Sequence, residues 1–209
     1  MKIHILGDSI SMHYGPYLEQ YVKGVIEYSR KEGEQDTAIS LDRPSGANGG
    51  DSKMVLTYLN SCLQNNVIDA DYILINCGLH DIKTNIETHE KMVPLHDYEN
   101  NLKEIIKVVK LLGFKMIWIR TTPCDEKVHN HSEMPFHRFS ADCVTYNHAA
   151  DKIMNTFSVP IIDLHTYTEN LLPDIYDDHV HFKESIREKQ ALFIADWLMS
   201  HLKLKPKKI

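Results

Sequence analysis

Two short segments near opposite ends of the chain carry the residue types used in nucleophilic catalysis. GDSIS follows a predicted strand directly, which places the Ser9 hydroxyl at a strand-to-helix turn beside backbone N–H groups that can bind an oxyanion. Near the other end, Asp178 precedes His181 by three residues in DHVH. One short loop can then present a carboxylate that orients the imidazole, while the other ring nitrogen takes the serine proton. Taken alone, the first segment also fits a helix N-cap and the second a polar helix-entry loop.

Two further segments follow predicted strands. Residues 45–52 (SGANGGDS) contain glycines that let the backbone approach a ligand without a Cβ in the way. Residues 76–81 (NCGLHD) place the imidazole of His80 after another strand. In isolation, the first also fits an ordinary turn before a helix capped by Asp51 or Ser52, and the second a loop histidine without a partner. Their order along the chain adds to what each segment says alone.

The elements that must position these segments alternate between short apolar runs and longer stretches of helical period. The carboxyl ends of parallel strands lie at one edge of the sheet, and ligands bind beyond that edge. This alternation therefore places all four segments at the same edge. It predicts a single domain over 1–209, a three-layer α/β/α sandwich around a mostly parallel five-stranded sheet. The predicted strands are 2–6, 37–41, 71–76, 115–120 and 159–164, and the predicted helices are 14–30, 52–63, 98–112, 140–157 and 184–202.

Composition excludes several other classes of protein. The 209 residues are 43% hydrophobic and 25% charged, which is typical of a globular domain. A formal charge of −6 argues against nucleic-acid binding, because such proteins need clustered Lys and Arg. We find no apolar stretch of the length that spans a membrane, and the chain runs into a strand at its N-terminus without a signal-peptide pattern. We therefore expect a cytoplasmic protein.

The four segments in this order resemble the blocks of the GDSL/SGNH hydrolase superfamily, across nearly the whole chain. GDSIS matches the first block at Ser9, GGDS resembles the second at Gly50 (or Gly49 after a slip of one), and DHVH matches the last. The resemblance implies an SGNH or flavodoxin-like fold and a Ser9–His181–Asp178 triad acting through an acyl-enzyme. It also implies an oxyanion hole from the N–H groups of Ser9 and Gly50, with no metal and no cofactor. Asp8 is interpreted as structural, since it can hydrogen-bond within the turn.

The third block departs from the family pattern, because His80 stands where the family has Asn. An imidazole N–H can donate to an oxyanion as the Asn amide does, provided that its tautomer presents the proton. His80 is therefore the expected side-chain member of the oxyanion hole. The substitution also leaves room for a different substrate or a weaker esterase.

Residues 122–139 break the regular alternation and hold three histidines, His129, His131 and His137, near Asp125 and Glu126. His-x-His can bind a metal ion. Histidines are scattered through this chain, however, so a substrate-facing loop or lid is favoured over a metal site.

These observations favour a serine-dependent hydrolase of carboxylic esters with small acyl groups such as acetyl, including esters of carbohydrates. The expected partner is a small-molecule ester, with neither nucleic acid nor membrane. Two alternatives stay open: a carbohydrate O-acyltransferase using the same chemistry, and a catalytically silent SGNH-like binding module. Acyl chain length, the alcohol and the oligomeric state are not encoded in recognisable motifs.

Overall fold

Seven strands and seven helices make up the computed structural model over the residues that it describes, 1–33, 44–65, 68–131, 133–171 and 173–204. In chain order they are β1 (Lys2–Leu6), α1 (Ser9–Val22), β2 (Glu27–Arg30), α2 (Ser52–Asn65), β3 (Tyr72–Ile75), β4 (Thr84–Asn85), α3 (Leu95–Leu111), β5 (Lys115–Ile119), α4 (Glu126–His129), β6 (Phe136–His137), α5 (Ser140–Thr156), β7 (Ile161–Ile162), α6 (Leu164–Glu169) and α7 (Glu184–His201). The main sheet has the strand order β2-β1-β3-β5-β7 with every pairing parallel. β4 and β6 form a separate antiparallel pair.

Helices cover both faces of the main sheet. α1 packs against α7 in one layer, while α3 packs against both α2 and α5 in the other. The central strands β1, β3 and β5 are apolar and buried along nearly their full length, as expected for parallel strands enclosed on both sides. The predicted three-layer sandwich with a parallel five-stranded sheet is therefore confirmed. No helix in the described ranges is both long enough and apolar enough to cross a membrane.

The second strand of the sheet is not the predicted one. The helix predicted over 14–30 ends at Val22, and residues 27–30 form β2, which pairs with β1. Gly24 ends this helical stretch with φ +80°, a backbone conformation that glycine adopts without steric cost. β2 is a half-exposed edge strand (EYSR) with no apolar run, so its sequence carried no strand signal. The strand predicted over 37–41 lies outside the described residues.

Two smaller corrections concern the elements after β5. The strand predicted over 159–164 is reduced to Ile161–Ile162, because Asp163 caps α6 by accepting a hydrogen bond from the Thr166 N–H. Residues 122–139, predicted to be irregular, contain the short elements α4 and β6. The other predicted strands and helices are confirmed to within a few residues at each end, except that α1 begins at Ser9 rather than at residue 14.

Candidate active site

Ser9 is the first residue of α1 and comes three residues after the end of β1. Asp8 caps the helix, since its Oδ1 accepts a hydrogen bond from the Ile10 N–H at 3.0 Å, and this confirms its structural role. The first N–H groups of a helix have no partner within the helix and point outward from its positive end. Ser9 is buried, with 5% of the residue exposed, and its hydroxyl lies at an end of the helix suited to anions.

A continuous chain of hydrogen bonds joins Ser9 to the loop before α7. The Ser9 Oγ is 2.8 Å from the Nε2 of His181, and the His181 Nδ1 is 2.7 Å from the Oδ2 of Asp178. The other carboxylate oxygen, Oδ1, accepts from the N–H groups of Val180 and His181 at 2.8 and 2.7 Å. A carboxylate can only accept, so the ring proton lies on Nδ1. The Nε2 lone pair is then available to accept the Ser9 proton.

Hydrogen bonds favour the ionised form of Asp178, and burial favours the neutral form of His13. Partial burial opposes ionisation of Asp178, but the hydrogen bonds from the His181 ring and from the two backbone N–H groups outweigh it and hold the pKa of this carboxyl well below its usual range. The His13 ring lies with its centroid 4.9 Å from that of His181. Burial, reinforced by the nearby His181, lowers the pKa of His13 to about 4. His13 is therefore neutral at pH 7.

Three turns at the carboxyl edge of the sheet are joined by direct hydrogen bonds. The Gly49 N–H donates to the carbonyl of Gly7 at 2.8 Å, which places residues 45–52 against the turn that carries Ser9. The Ser52 N–H donates to both carboxylate oxygens of Asp81 at 3.0 and 3.1 Å, which brings residues 76–81 against residues 45–52. Because His80 directly precedes Asp81 and is itself buried, these contacts bring it to the same edge as Ser9.

Gly50 occupies a position that requires glycine. Its φ is +71°, and a Cβ there would lie 2.6 Å from the Met54 sulfur and 3.0 Å from a Pro44 carbon. Its N–H donates to the side-chain oxygen of Asn48 at 2.9 Å. The two candidate glycine N–H groups are therefore both engaged in this structure, that of Gly49 by backbone and that of Gly50 by a side chain.

Asp81 is a residue of this site to which the sequence assigned no role. It is completely buried, and burial raises the pKa of its carboxyl to about 7 even though the hydrogen bonds from Ser52 act in the opposite direction. Asp81 directly follows His80 in the sequence. No local pattern indicated that its carboxylate would accept a hydrogen bond from the backbone N–H of Ser52, 29 residues away.

The histidines of residues 122–139 do not converge on a metal site. His129 is buried, with its Nε2 2.6 Å from the Arg138 Nη1 and its Nδ1 2.9 Å from the Asn130 Oδ1. His131 lies beside His179, and His137 lies on β6 beside Phe139. Among the described residues, no group of three His, Cys, Asp or Glu side chains is placed to hold a metal ion.

Two further neighbours of the site could not be identified from the sequence. His13 lies one helical turn after Ser9 on the same face of α1, but the predicted helix began at residue 14 and so missed this spacing. Arg138 is 1% exposed, and a charged residue in an irregular segment ordinarily predicts a solvent-exposed side chain.

Comparisons with known proteins give a family match over most of the chain. The family model described as GDSL-like Lipase/Acylhydrolase matches residues 3–194. No curated protein matches the chain in sequence.

Solved structures of similar fold cover almost the whole chain at low sequence identity. A lipase/acylhydrolase from Enterococcus faecalis has a TM-score of 0.71 at 17% identity, covering 100% of this chain and 99% of its own. An acetyl xylan esterase, AlAXEase, has a TM-score of 0.67 at 16% identity, covering 97% of this chain and 100% of its own. The psychrotrophic esterase EstA from Pseudoalteromonas sp. has a TM-score of 0.64 at 14% identity, covering 97% of this chain and 98% of its own. At these identities the similarity establishes the shared fold.

Proposed function

Because the chain belongs to the GDSL-like lipase/acylhydrolase family and is thereby an ester hydrolase, we propose that Ser9, His181 and Asp178 are its catalytic triad, acting through an acyl-enzyme on esters of small acyl groups. The observation that carries the proposal is the unbroken hydrogen-bond chain from the Ser9 Oγ through His181 to the Asp178 carboxylate. It supplies a nucleophile, a base with its lone pair toward that nucleophile, and a carboxylate that sets the tautomer of the base.

The proposed reaction proceeds in two acyl-transfer steps. The His181 Nε2 takes the Ser9 proton as Oγ forms a bond to the ester carbonyl carbon, and the carbonyl π electrons move onto oxygen. The tetrahedral intermediate collapses, the bond to the alkoxy oxygen breaks, and His181 gives its proton to the departing alcohol. Water then attacks the acyl-enzyme with the same base and releases the carboxylic acid and free Ser9. His181 must be neutral at the start of each step, because only a free Nε2 lone pair can accept a proton.

The oxyanion is proposed to receive hydrogen bonds from the N–H groups of Ser9 and Gly50 and from the His80 ring. The Gly50 N–H donates to the neutral amide oxygen of Asn48. A hydrogen bond to an anion is stronger than one to a neutral oxygen, so the tetrahedral oxyanion competes for this N–H better than the ground-state carbonyl does. An interaction gained chiefly in the transition state lowers the barrier rather than tightening substrate binding.

The acyl group is proposed to be small, with acetyl as the first candidate and a carbohydrate hydroxyl as a candidate alcohol. Similarity to the fold of an acetyl xylan esterase supports testing acetylated sugars first. The proposed nucleophile and the proposed base are both buried residues, since Ser9 is 5% exposed and His181 is 3% exposed.

The experiment is hydrolysis of p-nitrophenyl acetate and butyrate by the wild type, Ser9→Ala and His80→Ala. We expect Ser9→Ala to abolish turnover and His80→Ala to lower kcat by about 10²–10³, as loss of one oxyanion donor does elsewhere. The acetate-to-butyrate ratio bounds the size of the acyl pocket. A loss below about threefold for His80→Ala would remove His80 from the oxyanion hole.

A folded wild type with no hydrolytic activity would turn attention to acyl transfer or to binding without catalysis. Labelling of Ser9 by a fluorophosphonate separates these outcomes, because labelling needs an activated serine and is independent of the acyl acceptor. Ser9→Ala is the control for specific labelling.

A further inference from the structure

We propose that Arg138 and His129 are positioning residues for the oxyanion hole, which hold the turn that carries His80. This inference rests on the proposed role of His80 in catalysis. It assigns a function to residues 122–139, the segment whose histidines fitted neither the regular fold nor a metal site.

The guanidinium of Arg138 lies inside the protein against the His80 turn. Arg138 is 1% exposed, and its Nε donates to the carbonyl oxygen of Leu79 at 2.8 Å. The Leu79 carbonyl and the His80 N–H belong to one planar peptide unit. A hydrogen bond to this carbonyl therefore orients the peptide plane from which the His80 side chain begins.

His129 determines where the guanidinium lies. Arginine has only donors, so the 2.6 Å contact between the Arg138 Nη1 and the His129 Nε2 requires a lone pair on Nε2. The ring proton is then on Nδ1, where the Asn130 Oδ1 accepts it at 2.9 Å. The same oxygen accepts the backbone N–H of Arg138 at 2.9 Å, which identifies it as the amide oxygen. The neutral tautomer of His129 is thus set by contacts on both sides of the ring.

The pair also contacts the loop that carries the proposed base. The ring of His179 lies edge-on to that of His129, with the centroids 4.9 Å apart, and His179 stands between Asp178 and His181 in the sequence. Phe136 on β6 supports the guanidinium from one face, its ring centroid 4.9 Å away. Arg138 and His129 therefore contact both the turn that carries His80 and the loop that carries Asp178 and His181.

Lysine cannot reproduce this geometry. The planar guanidinium directs Nε at Leu79 and Nη1 at His129, whereas an ammonium is a single point of charge at the end of a flexible stem. Arg138→Lys keeps the charge and removes the two-directional contact. We expect it to lower kcat by about tenfold, which is less than the loss expected when the oxyanion donor itself is removed, and to leave KM within about twofold.

A double-mutant cycle distinguishes positioning from general support of the fold. If Arg138 acts through His80, it has nothing left to position once His80 is removed. The double variant His80→Ala/Arg138→Lys is then expected to have the kcat of His80→Ala within about twofold. Multiplied losses would overturn the inference while leaving the proposed role of His80 intact. Wild-type kcat in His80→Ala would overturn both, so the two failures are distinguishable.

His129 provides a second test that leaves the arginine in place. His129→Gln offers an amide oxygen near the position of Nε2 and is expected to retain kcat within about threefold, whereas His129→Phe keeps a ring without an acceptor and is expected to match Arg138→Lys. Equal kcat values for the Gln and Phe variants would contradict the inference.

The matched control is Arg120→Lys. Arg120 is also largely buried, and its guanidinium pairs with the carboxylates of Asp151 and Asp163. Thermal unfolding of every variant shows which of them are folded at the assay temperature. An Arg120→Lys variant with the same kcat loss as Arg138→Lys would show that the loss reflects general destabilisation, and would overturn the inference.

Discussion

Replacing Asp178 by asparagine is the most discriminating change at the proposed triad, because the structure dictates which way the new amide will face. The Asp178 Oδ1 accepts hydrogen bonds from the N–H groups of Val180 and His181. Asparagine has a single acceptor oxygen, and two backbone donors require it at this position. The amide NH₂ must then face the His181 Nδ1, which lies 2.7 Å from the present Oδ2.

This orientation reverses the tautomer of His181. An NH₂ group pointing at Nδ1 favours a lone pair there, so the ring proton moves to Nε2 and points at the Ser9 hydroxyl. A protonated Nε2 cannot accept the Ser9 proton. We expect kcat to fall by about 10³–10⁴, which corresponds to about 4–5.5 kcal/mol in the activation barrier, with KM nearly unchanged.

The assay is steady-state hydrolysis of p-nitrophenyl acetate, with thermal unfolding to verify the fold. Asp177→Asn is the matched control, because it removes the same charge from the same loop while breaking only an exposed ion pair with Arg187. We expect this control to keep kcat within about twofold. A kcat for Asp178→Asn within about tenfold of the wild type would refute the tautomer argument.

Three further predictions concern stability and backbone geometry. Because the pKa of Asp81 is about 7 in the folded protein and near 3.8 when unfolded, the folded state binds the extra proton, and the contribution of Asp81 to stability is lost as pH rises toward 7. The unfolding free energy of Asp81→Asn relative to wild type should therefore increase by about 2 kcal/mol between pH 5 and pH 8 in urea titrations, and a pH-independent difference would contradict this. Gly50→Ala should lower the free energy of unfolding by about 1–2 kcal/mol and should also lower kcat. Gly113 has φ +83° and open space where a Cβ would lie, so Gly113→Ala should lower the free energy of unfolding without changing kcat. Equal kcat values for the two variants would argue against a catalytic role for Gly50. Asn147→Ala should lower the free energy of unfolding by about 2–4 kcal/mol, because the Asn147 side chain hydrogen-bonds both the N–H and the carbonyl of Thr121. The control Asn155→Ala removes an exposed side chain and should change the free energy of unfolding by less than about 0.5 kcal/mol. Similar losses in the two variants would contradict this account.

The local sequence determined the features that depend on neighbouring residues. The apolar runs of β1, β3 and β5 predicted buried parallel strands, because burial on both faces leaves no polar positions to interrupt them. The three-residue spacing of Asp178 and His181 predicted their contact, since a loop that short brings the two side chains together. Placing Ser9 after β1 predicted its position at the carboxyl edge.

Only the tertiary structure decided the features that depend on distant contacts. β2 is an edge strand whose residues are exposed or half-buried and form no apolar run, and pairing with β1 rather than local pattern makes it a strand. Asp81 shows its role only when Ser52 is brought to it across the sheet edge. The buried Arg138 guanidinium has two acceptors, the Leu79 carbonyl and the His129 Nε2 lone pair, on separate segments of the chain. No spacing along the chain encodes that these two acceptors come close together. Periodicity records which side of an element faces the core, whereas hydrogen bonds between separate loops are set by how the elements pack.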